Sequence, residues 1–338
     1  MKRASIADVA RHAGVSTATV SRALNTPDQV TEATLARVEA AIDALDYVRS
    51  ETARSFKTQR SRMIMVVARN IGNIYYSELF RGVQRRAEAL DHEIMIASPM
   101  HTSTDALIAA HLRTGRVDGV VVLSGLEASR VNTSVLREHY GGPPPIVGIG
   151  EERGHLALPH ILVDNERAGY LAGKHLLAMG HTAIAHIPGP EGTPVRRARA
   201  GGLVRALAEA GLAPAWPEAF EGGFSIQTGR GAAQTMSARP DRPTAIFCAN
   251  DEVALGFIAE ATRLGIRVPK EVSVVGFDDI VFAEAAIPAL TSIRQPREAM
   301  GMRAMDLVLA LIEGERAEEM IELPLELVER DSVCPPGT

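Results

Sequence analysis

The chain offers several sets of side chains that could do chemistry. Three adjacent acid pairs, Glu151/Glu152, Asp251/Glu252 and Asp278/Asp279, are candidates for general acid–base work. Neighbouring residues on a helix or turn point in different directions, so such a pair does not flank a bond as two catalytic carboxylates must. The histidines His155, His160, His175, His181 and His186 form no helical i,i+4 pair, so no metal site is expected. The loop Gly189-Pro190-Glu191-Gly192 lacks the lysine and hydroxyl of a phosphate-binding loop. No nucleophile elbow, His-Glu-x-x-His or Cys-x-x-Cys spacing occurs. These absences predict that the chain is not an enzyme and carries no cofactor.

The stretch Asp8–Asn25 remains. It reads as a short helix, a turn at Gly14-Val15 and a second helix opening at Ser16. Gly14 supplies a residue able to take positive φ, and Ser16 can cap the second helix. Ala10, Val15, Val20 and Leu24 would hold the helices together, Val20 and Leu24 sharing a face. Thr17, Ala18, Ser21 and Arg22 project from the other face, small or polar except for the arginine. This is a helix-turn-helix arrangement, whose second helix enters the DNA major groove. An ordinary helical hairpin would show the same local signature, so the decision rests on the rest of the chain.

The elements that position these residues follow from periodicity and composition. At 338 residues, 46% hydrophobic, the chain is long enough for two or three globular domains. Its net charge of −5 argues against nucleic acid, but the balance is uneven. Residues 1–60 carry nine Lys/Arg against seven Asp/Glu, and Arg49, Arg54, Lys57, Arg60 and Arg62 cluster beside a single local acid, Glu51. Cys248 and Cys334 make no disulfide framework. With no apolar run of membrane length and no signal-peptide core, a cytoplasmic protein without membrane association is expected.

Ser5-Ile6-Ala7-Asp8 has the spacing of a capping box, and Thr31 can cap a third helix reaching Leu45. Residues 50–58 are polar and basic, with only Ala53 and Phe56 apolar, and read as a linker that becomes a helix on a partner. From Arg62 onward apolar strands alternate with helices. The strands are expected at Met63–Ala68, Ile94–Ala97, Gly119–Leu123, Ile146–Ile149, Ile161–Val163, Ala183–Ile187, Ala245–Cys248 and Val272–Val275. Helices are expected near Tyr76–Leu90, Leu107–Arg113, Ala168–Met179, Ala198–Ala210, Glu252–Leu264 and Ala299–Ile312. The fold class is therefore α/β: an all-α headpiece followed by two doubly wound parallel-sheet lobes, with a ligand cleft at the strand ends.

Taken together these residues resemble the lactose/galactose repressor (LacI/GalR) family of bacterial transcription factors. The resemblance is carried first by Ile6-x-Asp8-Val9-Ala10, Gly14-Val15-Ser16, Thr19-Val20-Ser21-Arg22 and Leu24-Asn25. It continues through Asp164-Asn165, Gly180-His181-x-x-Ile184-Ala185-His186-Ile187, Asn250-Asp251, Gly276-Phe277-Asp278-Asp279 and Leu290-Thr291-Ser292-Ile293. The order and spacing of these segments over nearly the whole chain are specific where each alone is weak. The resemblance implies a headpiece at 1–49, a hinge at 50–61 and a core of the periplasmic-binding-protein type at 62–338. It also implies lobe crossings near 162, 290 and 323, with 291–322 in the first lobe.

It implies roles as well. Thr17, Ala18 and Arg22 match base-reading positions, where an arginine fork suits guanine. Ser16, Thr19, Ser21 and Asn25 match phosphate contacts. Ala53 and Phe56 match the hinge that enters the minor groove, with phenylalanine where the family usually has leucine. Asp46 stands where glycine is common, and Arg49 where proline is. In the cleft, Tyr75, Tyr76, Arg199, Asn250, Asp278 and Gln295 match positions that bind a small effector: a sugar, sugar acid, polyol or nucleoside. Gly150 stands where an acid is common. The partners implied are an operator duplex, the effector and a second copy in a homodimer or higher oligomer. The rival reading is a sugar-binding protein with no DNA role, which leaves residues 5–58 unexplained.

Overall fold

The computed structural model describes residues 4–47, 60–68, 71–98, 103–123, 134–150, 158–215 and 220–337. Ala53, Phe56, Arg49, Glu151, Glu152 and His155 lie outside the described residues. The chain divides into two compact units, with the boundary between Ser61 and Arg62.

In the first unit, α1 (Ile6–Ala13) starts with the capping box: Asp8 N–H donates to Ser5 Oγ, and Ser5 N–H donates to Asp8 Oδ2. Gly14 ends it with φ 66°, and α2 (Thr17–Asn25) begins where Ser16 Oγ accepts from Thr19 N at 3.1 Å. A 3₁₀ turn at Pro27–Gln29 leads to α3 (Glu32–Ala44). Val9, Ala10, Ala13, Val20, Ala23, Val38 and Ala41 form its small core, with Val15, Leu24, Leu35 and Leu45 packed against it. The alanines allow the helices to lie close. Asp46, just after α3, has φ 45°, the conformation that glycine adopts freely and that aspartate tolerates better than most residues.

The second unit holds two sheets. The first runs in the order β10-β5-β4-β3-β1-β2 and is parallel throughout. Its strands are β1 (Met63–Val67), β2 (Glu93–Ala97), β3 (Gly119–Leu123), β4 (Ile146–Gly150), β5 (His160–Val163) and β10 (Met320–Leu323). The second runs β11-β9-β8-β7-β6, parallel except at β11. It comprises β6 (Ile184–Ile187), β7 (Ala245–Cys248), β8 (Ser273–Asp278), β9 (Thr291–Arg294) and β11 (Glu326–Val328). Helices α4 (Tyr75–Ala89), α5 (Thr104–Arg113), α6 (Ser134–Tyr140) and α12 (Arg297–Ile312) belong to the first lobe. The second lobe has α7 (Asn165–Ala178), α8 (Pro194–Glu209), α9 (Ile226–Ser237), α10 (Asp251–Arg263) and the short α11 (Val281–Ala285). Strands such as β3 and β4 are buried along their whole length, as sheets covered on both faces require.

Of the crossings implied near 162, 290 and 323, the second falls elsewhere. Leu162 and Val163 still pair within the first sheet, so the first crossing falls at Asp164. Residues 291–294 belong to the second lobe, because β9 is held between β8 and β11 with Thr291, Ser292 and Ile293 buried. The second crossing is therefore Gln295-Pro296. The third follows Leu323, the last residue of β10.

Three helix pairs share one packing device. Gly169 and Gly202 bring α7 and α8 together, Gly82 and Gly301 join α4 and α12, and Gly229 and Gly256 join α9 and α10. At each, a Cβ would overlap a backbone carbonyl of the facing helix, so the backbones approach too closely for any side chain.

Candidate functional site

A cavity of about 110 Å³ lies between the two lobes, several times the roughly 10–15 Å³ that one water needs. It sits beyond the carboxyl ends of the strands of both sheets, the usual ligand position in open α/β folds. Tyr75, Tyr76, Arg199, Asn250, Asp278 and Gln295, the six residues implied by the sequence, all line it. So does Gly150, singled out in the sequence as a departure in the cleft, and so do Asn73, Val163, Asn165, Val195 and Phe224, which sequence reasoning missed as site residues. Phe224 is an isolated aromatic following Gly222-Gly223, and its ring lies against Gly189, where a Cβ would stand 3.0 Å from it. Its place directly before the Ser225 cap of α9 was the signal available.

Arg199 is 7% exposed and held from three sides. Its Nε donates to Asn165 Oδ1 at 2.9 Å, an Nη donates to the Ala249 carbonyl, and its guanidinium carbon stacks 3.5 Å from the Phe277 ring centroid. A buried guanidinium needs such partners, because a charge without them is costly. Asn250 caps α10 by accepting from Val253 N at 3.0 Å, and its amide nitrogen donates to the Phe224 carbonyl at 3.2 Å. It thus fixes the aromatic wall as well as lining the cavity. Asn73 does the same for the first lobe, its Oδ1 accepting from Tyr75 N at 2.8 Å.

Asp278 closes β8 with φ 107°, and Asp279 follows at φ 52°. These two consecutive left-handed aspartates are a strained turn at the mouth of the site. Burial pushes the Asp278 carboxyl up to about 6, against the opposing pull of Arg199, Arg297 and a hydrogen bond from Gln295 Nε2 at 2.6 Å. Asp251 lies deeper; burial and the Asp278 charge raise its carboxyl well above the usual range. It accepts from Ser292 Oγ at 2.6 Å and Ile280 N at 2.8 Å, which gives it a structural task. Asp279 faces away from the cavity, paired with Arg294 and Arg330 at 2.7 Å each. Asp278 and Asp279 are thus split by their surroundings, one lining the cavity and the other paired outside it.

His160, His181 and His186 make structural contacts. His186 stacks on Phe247, its Nδ1–H donates to the Phe247 carbonyl at 2.9 Å, and burial lowers it to about 4. His181 bonds Thr244, Ser273 and the Cys334 carbonyl, and His160 bonds the Leu158 carbonyl. Among the described residues no cluster of His, Cys, Asp or Glu could hold a metal ion, and no helix is long and apolar enough to cross a membrane.

In the first unit, Thr17, Ala18 and Arg22 are exposed on α2. The neighbouring polar groups are partly engaged. Ser16 Oγ lies 2.9 Å from Thr19 Oγ1, and Asn25 Nδ2 donates to the Ser21 carbonyl at 2.6 Å.

Comparison with known proteins agrees with both units. Residues 5–50 match the model of bacterial regulatory proteins, lacI family, and residues 174–333 match a periplasmic binding protein-like domain. The chain is 35% identical to the HTH-type transcriptional repressor PurR of Photorhabdus laumondii over 98% of its own length and 97% of the relative's. It is 36% identical to the HTH-type transcriptional repressor CytR of Escherichia coli, covering 92% of this chain and 91% of that one. Among solved structures it is similar to the lac repressor dimer bound to operator and the anti-inducer ONPF. There the TM-score is 0.85 at 28% identity, over 98% of this chain and 100% of that one. The chain belongs to the lacI family of bacterial regulatory proteins.

Proposed function

We propose that this regulator represses transcription by binding a palindromic operator as a homodimer, and that a small polyhydroxylated effector in the interlobe cavity controls the binding. The lac repressor it resembles is a dimer on its operator with a small molecule bound, which supports transferring that scheme. One observation carries the effector half: six residues expected from scattered stretches of sequence meet around a single cavity. The chemistry there suits a sugar, sugar acid or nucleoside. Tyr75, Tyr76 and Phe224 offer aromatic faces to a ring, Asp278 accepts from hydroxyls, and Arg199 supplies a positive edge.

On the DNA side, α2 would enter the major groove with Arg22 on guanine and Thr17 and Ala18 on neighbouring base edges. Ser16, Thr19, Ser21 and Asn25 would set the register on phosphates, and Ala53 and Phe56 would enter the minor groove from the hinge. Such a protein works in the cytoplasm, where the bacterial chromosome is. Effector and operator affinities are reciprocally linked, whichever direction the effector drives.

A thermal-shift screen of ribose, galactose, gluconate and adenosine on the full chain tests this. A ligand at a hundred times its Kd adds roughly 2.7 kcal/mol to the native state, a rise of several degrees. The same compound must then change affinity for an operator selected from random duplexes. A ligand that shifts melting without changing operator affinity would leave the cavity a binding site and remove its control of DNA.

A further inference from the structure

We infer that Arg297 is a positioning residue that ties the two halves of the effector site into one unit; this rests on reading the cavity as that site. Arg297 is the first residue of α12 in the first lobe, immediately after the Gln295-Pro296 crossing. It is 2% exposed and lies outside the cavity wall. Its Nη2 faces Glu78 Oε2 at 3.0 Å and donates to the Asp279 carbonyl at 2.9 Å. The guanidinium carbon is 5.9 Å from the Tyr75 ring centroid.

These contacts fall on opposite sides of the cleft. Glu78 is in the first turn of α4, the turn that opens with Tyr75 and Tyr76. Asp279 belongs to the second lobe and follows Asp278 directly. Its carboxylate is fixed by Arg294 and Arg330, so its backbone is a rigid anchor. One nitrogen therefore spans from the helix that presents the aromatic wall to the strained turn that presents the carboxylate. A buried guanidinium resists losing either partner, because what remains would be a charge without full compensation. A lysine ammonium falls where the arginine Cζ lies, one bond short of the Nη2 position, so it reaches these two partners less well. A ligand touching Tyr75, Tyr76 and Asp278 thus acts on both ends of one bridge.

Amide hydrogen exchange on the full chain reads this without any ligand. Tyr76 and Ser77 N–H donate to the Asn73 and Ile74 carbonyls, and Asp279 and Ile280 N–H donate to Ser292 and Asp251. Both ends therefore carry protected amides. Arg297→Met should speed exchange at both ends together, roughly tenfold. Glu78→Gln, at a side chain 30% exposed, should speed exchange at Asp279 and Ile280 as well, in the lobe that does not contain it. Arg297→Lys should fall between parent and Arg297→Met. If Glu78→Gln alters only Tyr76 and Ser77, or Arg297→Met alters only the start of α12, the bridge does not couple the halves. Should Arg297→Met fail to fold, the Glu78→Gln result decides alone. A ligand screen that failed would count against the effector reading and leave this measurement unaffected.

Discussion

Asp278→Asn should stabilise the core at pH 8 and leave it unchanged near pH 4. The carboxyl titrates at about 6 in the folded protein against 3.8 for the ordinary group. Between those values the folded state binds the proton more tightly, so stability falls as pH rises from about 4 to about 6 and stays lowered above. Two units at about 1.36 kcal/mol each give a penalty of roughly 3 kcal/mol as an upper figure. Asparagine matches the protonated acid in shape, can still accept from Gln295, and tolerates the positive φ. Urea unfolding of parent and variant at fixed protomer concentration, at several values from pH 4 to pH 8, gives the difference directly. The expected curve starts near zero and rises through pH 6 in the variant's favour. A difference that is flat with pH, or a variant less stable at pH 8, would refute the argument that this carboxylate is held against its own burial. Effector affinity of the parent should rise as pH passes about 6, because the ionised carboxylate accepts from hydroxyls more strongly than the acid does.

Arg22→Ala should remove a contact worth about 1–3 kcal/mol per half-site, measured as the affinity ratio between selected operator and scrambled duplex at one salt concentration. Equal losses on both duplexes would contradict base reading. Arg199→Ala should abolish the effector-dependent change in operator affinity, followed by fluorescence anisotropy; an unchanged response would remove Arg199 from the site. Gly202→Ala forces a Cβ into the Glu166 carbonyl and should cost about 1–3 kcal/mol, a melting drop of several degrees, whereas Gly201→Ala meets open space on the same helix and should be neutral or stabilising.

The alternation of strand and helix was legible because β1, β3, β4 and β7 are continuous apolar runs. Helix α9 was not, since Ile226–Ser237 is mostly glycine, alanine and small polar residues whose burial depends on the facing α10. Strands β9, β10 and β11 escaped for a related reason: each is short and sits at or beside a sheet edge with mixed polarity. The second crossing is set by the pairing of β9 between β8 and β11, within which Ser292 is buried with its hydroxyl donating to Asp251. No local pattern shows that pairing. The cavity residues came from matched motifs, whereas Phe224 and Asn73 owe their place to loops whose conformation is set by long-range partners. The departure at Asp46 became intelligible only from its φ.

The reciprocal glycine pairs have a consequence for how this architecture can change its ligand. They lock helix to helix through backbone contact, so the frame around the cavity does not depend on the side chains that line it. Gly169 rests on the carbonyl of Arg199 itself. A residue such as Val195 can therefore be exchanged, altering which molecule fits, without moving the scaffold that presents Arg199. Recognition can thus change while the frame that presents it stays the same.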